Sequence, residues 1–218
     1  MIGWSTWGPE DEAPWFGGIT WKTDVAKSKN ACSNGPAALI AARLYNFYDA
    51  MGKKAGKPKQ AYLNEAIKIY TWEKNNLFDR QTGAVYDSMN GELYKITGDK
   101  QYLADAVKAA NFVIDHLSTN EGVLSDAEGG DGGLFHGIFF RYFVKLINDP
   151  ALDSANYNKF RDYITHCATV MAEQGVNQKT MLYSGRWRKA PADDESVGLT
   201  SHLTGCMLME AMCVLKHR

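Results

Sequence analysis

The sequence of 218 residues is long enough for one large domain, and 45% of its residues are hydrophobic against 22% charged, as in an ordinary globular protein. Its 24 Lys and Arg against 25 Asp and Glu give a net charge of -1, which leaves no basic excess for binding nucleic acid or an anionic membrane. The longest uncharged stretch, residues 196–209, is shorter than the roughly 20 residues of a transmembrane helix. We therefore expect a single domain over residues 1–218 that binds neither nucleic acid nor a membrane.

Helical periodicity dominates the sequence, and helices of two kinds alternate. One kind has a narrow apolar stripe opposite Lys and Glu, which predicts packing on one face, and the other is apolar on almost all sides, which predicts burial on several. In chain order the predicted helices are Pro36–Tyr48 (apolar all round), one after Pro58 with a stripe at Tyr62, a short one within Asn90–Gly98, one with a stripe at Tyr102, Leu134–Ile147 (apolar all round), one from Asp153 with a stripe at Tyr157, and Leu203–Leu215 (apolar all round).

The apolar stripe is an internal repeat. The stripe that begins at Tyr62 recurs class for class from Tyr102 and more loosely from Tyr157. Hairpins that alternate buried and one-sided helices build two concentric layers, so the sequence predicts an all-α, (α/α)6-toroid-like stack. Fewer helices are readable than six hairpins require, so we expect the ring to be incomplete. Because an incomplete ring exposes apolar inner helices, the pattern also predicts self-association.

Short extended segments with a turn residue precede the helices that are apolar all round. Since they occupy equivalent places in each repeat, we expect them to meet at one rim of the scaffold, where binding groups collect. The segments are 17–21, 83–87, 122–126 and 181–185, and the candidate groups in or near them are Trp21, Asp87, Asp126, Asp131, Trp187, Asp193 and Asp194.

The chain also contains a set of short motifs in a fixed order. They are residues 17–22 (GGITWK), 29–36 (KNACSNGP), 41–45 (AARLY), 77–79 (LFD), 82–83 (TG), 85–87 (VYD), 130–135 (GDGGLF), 137–139 (GIF), 141–142 (RY) and 199–205 (LTSHLTG). Together they resemble glycoside hydrolase family 76, the endo-α-1,6-mannanases, and in particular its Bacteroidetes-like members. The motifs cover nearly the whole chain in family order, which makes the combination more specific than any one of them.

This resemblance implies an (α/α)6 toroid that hydrolyses α-1,6-linked mannan with retention, through two adjacent aspartates and with no metal or cofactor. The family's aspartates stand in a Tyr-Asp-Asp motif upstream of Gly17 by more residues than Met1–Phe16 provide. No catalytic residue is therefore assigned in this chain, and little hydrolysis is expected from it. The longer family segment that follows Asp87, with an Asn-Gln-Gly motif, is shortened here to the stub at Asn90–Gly98.

Acidic residues are the first candidates for sugar chemistry, because retaining glycosidases need two carboxyl groups roughly 5 to 5.5 Å apart. The run Asp193-Asp194-Glu195 follows a proline and is better explained as a solvated loop than as a catalytic pair. Asp126 and Asp131 bracket a glycine-rich turn, where a carboxylate either caps the next helix or binds vicinal sugar hydroxyls. The same alternatives, a structural role or sugar binding, apply to Asp87.

Aromatic, amide and imidazole groups complete the candidate site. A tryptophan can stack on a pyranose ring or pack at the base of a loop, and both alternatives remain open for the two rim tryptophans. Asn34, which precedes Gly35-Pro36, is the expected N-cap of the first helix. His136 lies one turn into a predicted inner helix and faces either the cavity or the core, and the preceding Asp131 and Gly132-Gly133 favour the cavity. The candidate mannan-binding residues are Trp21, Asn30, Asn34, Asp87, Asp126, Asp131, His136 and Trp187.

Metal and disulfide chemistry are not predicted. The four cysteines show no paired spacing, so we interpret them as small apolar core residues. His202 and Cys206 are one helical turn apart and could supply half of a metal site, but no further ligands accompany them, so they are expected to be core residues.

Three functions are consistent with these features: an α-1,6-mannanase, a mannan-binding module without hydrolysis, and a helical scaffold that pairs through exposed inner helices. The ordered motifs favour the first. The sequence contains no basic and apolar N-terminal segment typical of a secretory signal, whereas the family resemblance suggests a secreted, periplasmic or cell-surface location.

Overall fold

A computed structural model describes residues 17–20, 29–51, 56–83, 91–126, 129–130 and 132–218. The chain divides into two compact units, Met1–Ala109 and Ala110–Arg218. Their helices are α1 (Ala31–Asn46), α2 (Tyr48–Met51), α3 (Lys59–Asn76), α4 (Gly91–Thr97), α5 (Lys100–His116), α6 (Gly132–Ile147), α7 (Ser154–Val170, continued by a π turn, Met171–Gly175) and α8 (Leu199–Val214). No helix in the described ranges is long and apolar enough to cross a membrane.

The start of α1 corrects one prediction. The N-cap is Asn30, whose Oδ1 accepts a hydrogen bond from Ser33 N–H at 3.0 Å, and the helix begins at Ala31. Asn34 is therefore inside the helix, so the prediction that it caps α1 was wrong. Pro36, the predicted first residue of this helix, lies in its second turn, where the helix accommodates a missing N–H. In contrast, α6 and α8 begin within a few residues of the predicted Leu134 and Leu203.

The core of the first unit forms where α1 packs against α3. The predicted stripe on α3 is buried at Tyr62, Leu63, Ala66 and Tyr70, which confirms its orientation. Alanines on α1 provide the opposing surface and allow the two helices to approach closely. The cluster consists of Ala41, Ala42, Leu63, Ala66, Tyr70, Leu93 and Tyr102.

A buried carboxylate joins α3 to α5 within this unit. Asp105 is one of the buried charged residues, although the helical pattern places it among the polar positions of α5. Its carboxylate forms an ion pair with Lys74 Nζ at 2.6 Å and accepts hydrogen bonds from Gln101 Nε2 at 2.9 Å and from the Tyr70 hydroxyl. Burial and the bond to Asp105 raise the pKa of Tyr70 far above its usual range. These partners compensate for removing the charge from water.

In the second unit, α6 packs on α8 through small residues. A Cβ atom at Gly133 would lie 2.8 Å from Thr200 Oγ1, and one at Gly137 would lie 3.1 Å from Thr204 Cα, so both positions require glycine for this approach. Thr204 Oγ1 accepts from Gly137 N–H at 3.2 Å and donates to the Gly133 carbonyl. These contacts hold the two helices parallel, with their N-terminal ends together.

Helix α7 covers the other side of this core. Its N-cap is Asp153, which accepts from Asn156 N–H at 2.9 Å, as expected for a helix beginning near this residue. The predicted stripe is buried along its full length. Its buried members are Tyr157, Phe160, Tyr163, Ile164 and Cys167, followed by Met171 in the π turn.

Candidate functional site

Three connecting turns begin with a polar side chain that accepts a backbone N–H group two or three residues later. Asn177 Oδ1 accepts from Lys179 and Thr180 at 2.8 and 2.9 Å, and Asp79 begins a second turn of the same length. The turn that begins at Thr119 is one residue shorter, and the Thr119 hydroxyl accepts from Glu121 N–H. Each turn then ends on a residue with positive φ, at Gly83, Gly122 and Met181.

The hairpin that ends at Asp126 is connected to the loop preceding α8. Asp126 Oδ1 accepts a hydrogen bond from Trp187 N–H at 3.1 Å, although 61 residues separate the two in sequence. The carboxylate is otherwise exposed. Asp126 therefore positions the loop around Trp187. Its second oxygen accepts no hydrogen bond from the described residues.

Trp187 itself is a core residue, with 2% of its surface exposed. Its ring packs edge-on against Phe140 at 5.8 Å between centroids and lies 6.3 Å from the ring of His136. Of the two alternatives open for this tryptophan, the structure shows packing at the base of the loop. The buried Trp187 ring offers no face for stacking, and the residue instead contacts His136 and Asp126.

His136 lies in α6 beside this tryptophan and is half-buried. Desolvation lowers the pKa of His136 below its ordinary 6.5, and the nearby negative charge of Asp126 acts in the opposite direction. The imidazole is consequently neutral at neutral pH, so it can both donate and accept one hydrogen bond. Asp126, His136 and Trp187, predicted separately, are brought together by the fold of the second unit.

Three glycines near the start of α6 adjoin open space. Gly129 and Gly130 have φ values of 76° and 50°, and a Cβ atom on either of them, or on Gly132, would meet no atom within 4 Å. Open space therefore lies beside the start of α6, close in sequence to Asp126 and His136. A ligand can approach backbone groups here without displacing a side chain.

The acidic run before α8 is a solvated loop, as expected. Asp193 Oδ1 accepts from Asn177 Nδ2 at 2.9 Å and Oδ2 pairs with Lys179 Nζ at 2.7 Å, contacts that lower the pKa of Asp193. Glu195 pairs with Arg186 at 2.5 Å and accepts from Ala192 N–H at 3.0 Å. These carboxylates are occupied in holding the loop.

In the first unit, Asn30 and Asn34 form hydrogen bonds that stabilise the fold. Asn30 caps α1, and Asn34 is fully buried. Asn34 Oδ1 accepts from Ile19 N–H at 2.7 Å, and its Nδ2 donates to the Ile19 and Asn30 carbonyls at 3.1 and 2.7 Å. Asn34 thus anchors the segment at residues 17–20 to α1. The candidates Trp21, Asp87 and Asp131 lie outside the described residues.

His202 and Cys206 form a small cluster on α8. His202 Nδ1 accepts from Tyr183 N–H at 3.2 Å, and its Nε2 lies 3.5 Å from Cys206 Sγ. The Tyr183 ring stacks on His202 and covers Gly205, where a Cβ atom would overlap it. Among the residues that the structure describes, no three His, Cys, Asp or Glu side chains could hold a metal ion together.

The sequence motifs included Phe135, but the sequence did not identify it as a functional candidate. Its ring is 45% exposed on the first turn of α6, next to His136. The sequence could have indicated this exposure, because Phe135 is two residues from both Gly133 and Gly137. That spacing places it on the opposite side of the helix from those glycines.

The model of Glycosyl hydrolase family 76 matches residues 4–92 and 90–218 of this chain. The match divides where the sequence predicts a shortened segment, and the structure has the seven-residue helix α4 there. No curated protein matches the chain significantly.

Solved structures give the same relationship. An inactive variant of the GH76A α-1,6-mannanase of Salegentibacter sp. HEL1_6, with two consecutive aspartates replaced by alanine and α-1,6-mannotetraose bound, is 33% identical with a TM-score of 0.84, over 97% of this chain and 66% of that one. A protein of Listeria innocua is 25% identical with a TM-score of 0.77, over 95% and 63% of the two chains. A GH76 α-mannanase of Bacteroides thetaiotaomicron, at 16% identity and a TM-score of 0.62 over 90% and 56%, shares the fold.

The similarity confirms the all-α, α/α-toroid-type fold class expected from the sequence. The chain spans slightly less than two thirds of the length of these relatives and so corresponds to part of their fold.

Proposed function

Because the chain belongs to glycosyl hydrolase family 76, we propose that it acts on α-1,6-linked mannan as a glycoside hydrolase. The observation that carries this proposal is its 33% identity to α-1,6-mannanases over 97% of its residues. The sequence resemblance adds endo action and a retaining mechanism. The expected partner is an α-1,6-mannan chain or the manno-oligosaccharides derived from it, and no cofactor is part of the proposal.

Within the second unit, we propose that Asp126 and His136 contact the sugar. Their proximity, the exposed carboxylate and the open backbone at Gly129 and Gly130 support this assignment. Trp187 supports them from the core. Trp21, Asn30, Asp87 and Asp131 stay predictions for sugar contact, whereas the burial of Asn34 favours an anchoring function.

Hydrolysis is tested by incubating the purified 218-residue chain with α-1,6-mannan and separating the products by chromatography. β-1,4-linked mannan is the control substrate. Endo action would release a ladder of manno-oligosaccharides, whereas exo action would release one short product from the start. A folded protein that neither binds nor cleaves α-1,6-mannan would contradict the proposed function.

A mannan-binding role without hydrolysis is the second candidate, and Asp193 favours it. Asp193 and Asp194 are the single pair of adjacent aspartates in this sequence, and the first of them is already occupied by Lys179 and Asn177. A lowered pKa keeps the Asp193 carboxylate ionised and so unsuited to act as a general acid, and its bonds to Lys179 and Asn177 occupy both of the oxygens that a nucleophile would use. We expect α-1,6-mannotriose to bind this chain with little cleavage, as an NMR titration followed by product analysis would reveal.

Self-association is the third proposal. Large apolar side chains are exposed on two of the helices that the sequence predicted to be apolar all round, with Phe47 exposed by 63% just after α1 and Leu199 by 70% on α8. Light scattering across a concentration series should detect dimers or larger species, because burying such residues is favourable by about 1.5 to 3 kcal/mol each. A monodisperse monomer at all concentrations would contradict this proposal.

The compartment follows from the substrate. We propose that the protein works outside the cytoplasm, as a secreted, periplasmic or cell-surface protein, because mannan is a polymer that is degraded before uptake. Fractionation of producing cells, with detection by an antibody against the chain, would show in which fraction it resides.

A further inference from the structure

We propose that Phe135 is the mannose-stacking residue of the second unit, an inference that rests on the proposed action on α-1,6-mannan. Protein sites for pyranose rings pair an aromatic face with hydrogen-bonding groups around it, since a sugar ring has an apolar C–H face and a rim of hydroxyls. The sequence suggested tryptophans for the aromatic part. The structure buries Trp187, whereas Phe135 is 45% exposed.

The faces of α6 explain why Phe135 is accessible. Residues two positions apart are about 200° apart around an α-helix. The face with Gly133 and Gly137 is closed by α8, where added Cβ atoms would contact Thr200 and Met207. His136 turns toward the ring of Trp187, 6.3 Å away. Phe135 therefore occupies a side of the first turn that neither α8 nor the tryptophan covers.

The residues near this turn are suited to bind the hydroxyl groups around a sugar ring. A Cβ atom added to Gly129, Gly130 or Gly132 would meet no atom within 4 Å, so space is open beside these glycines. Asp126 supplies an exposed carboxylate at the beginning of the same segment, held in place by Trp187 N–H. An exposed aromatic residue, three glycines beside open space and a fixed carboxylate thus occur among the described residues from Asp126 to His136.

A second copy of this chain is the competing occupant for an exposed aromatic ring. The centres of protein interfaces are depleted of charged groups and are closely packed against side chains. The described residues that precede Phe135 in the chain instead include an exposed Asp126 and glycines beside open space. These features differ from those of an interface centre and favour a polar, hydroxyl-rich ligand.

The experiment is an NMR titration of the full chain with α-1,6-mannotriose. Three variants are compared with the wild type: Phe135→Ala removes the ring, Phe135→Tyr keeps it, and Phe47→Ala removes an exposed ring outside the second unit. We expect Phe135→Ala to weaken binding about fivefold to tenfold, Phe135→Tyr to stay within about twofold, and Phe47→Ala to leave the affinity unchanged. Thermal melts of all variants confirm that they are folded.

The outcomes separate this inference from the proposed function. A wild type that binds no α-1,6-mannotriose would overturn both. A wild type that binds, together with a Phe135→Ala variant of equal affinity, would overturn the stacking role and leave the proposed function standing. If Phe135→Ala changed the association state in light scattering and left the affinity unaltered, the ring would belong to a contact between copies and the stacking role would again be wrong.

Discussion

Met181 ends its turn in the left-handed region, with φ of 59°, whereas two other connecting turns end on Gly83 and Gly122. Such a conformation costs an L-residue about 1 to 2 kcal/mol, whereas glycine adopts it freely. The Met181 side chain is 57% exposed, so little packing compensates for this cost. The turn at Met181 is therefore strained where the other two are not.

We predict that Met181→Gly stabilises the protein by about 0.5 to 1 kcal/mol, because relief of the strain exceeds the extra entropy of an unfolded glycine. Urea denaturation would measure the change. The reciprocal control is Gly122→Ala, where φ is 78° and the new Cβ would lie 3.5 Å from His166, a normal contact. That variant should lose about 1 kcal/mol from φ alone. Loss of stability in Met181→Gly would contradict the strain argument.

His136 gives the second prediction at this scale. Its pKa is lowered from 6.5 by burial, so below that pH the unfolded chain binds a proton more readily than the folded one. Stability is therefore complete above about pH 6.5 and falls as the pH drops through the lowered folded pKa. The free energy of unfolding should decline more steeply between about pH 7 and pH 5 in the wild type than in His136→Gln. Parallel profiles of the two proteins would show that burial of the imidazole does not affect folding.

At the scale of the elements, helix faces were predictable and polar exceptions were not. The stripes on α3 and α7 are buried as expected because a period of 3.6 residues specifies one side of a helix. The burial of Asp105 was not predictable, since only the three-dimensional approach of Tyr70 and Lys74 compensates for it. The exposure of Phe135 has the same origin, because a sequence pattern does not reveal which faces of a helix its neighbours cover.

The contact between α6 and α8 gives a prediction about one pair of helices. Gly133→Ala should lower stability by about 1 to 3 kcal/mol, because its Cβ would lie 2.8 Å from Thr200 Oγ1 and 3.1 Å from Ser201 N. Gly132→Ala is the matched control, since its Cβ would meet no atom within 4 Å, and it should be neutral or stabilising. Thermal denaturation of both variants measures the difference. Equal melting temperatures would show that the helices can move apart at little cost.

At the scale of the whole molecule, α5 belongs to both compact units. It spans Lys100–His116, and the boundary between the units falls between Ala109 and Ala110. Its first half contributes Tyr102 and Asp105 to the first unit. In its second half, Asn111 and Asp115 both accept hydrogen bonds from Lys159 Nζ, at 2.7 and 2.9 Å. One continuous helix thus contributes residues to both units.

We therefore predict that the chain unfolds as the single domain expected from its sequence, in one calorimetric transition whose van't Hoff and calorimetric enthalpies agree. Melting either unit alone would leave half of α5 without its packing, and isolated helices of this length are marginal in water. The sharper test is Ala109→Gly at the boundary, which should cost about 1 kcal/mol and lower the midpoint of that one transition without dividing it. Ala61→Gly, within α3 of the first unit, is the control. Two resolved transitions in the wild type, or a shift confined to one of two transitions in Ala109→Gly, would show that the units fold independently and that α5 is a connection without coupling.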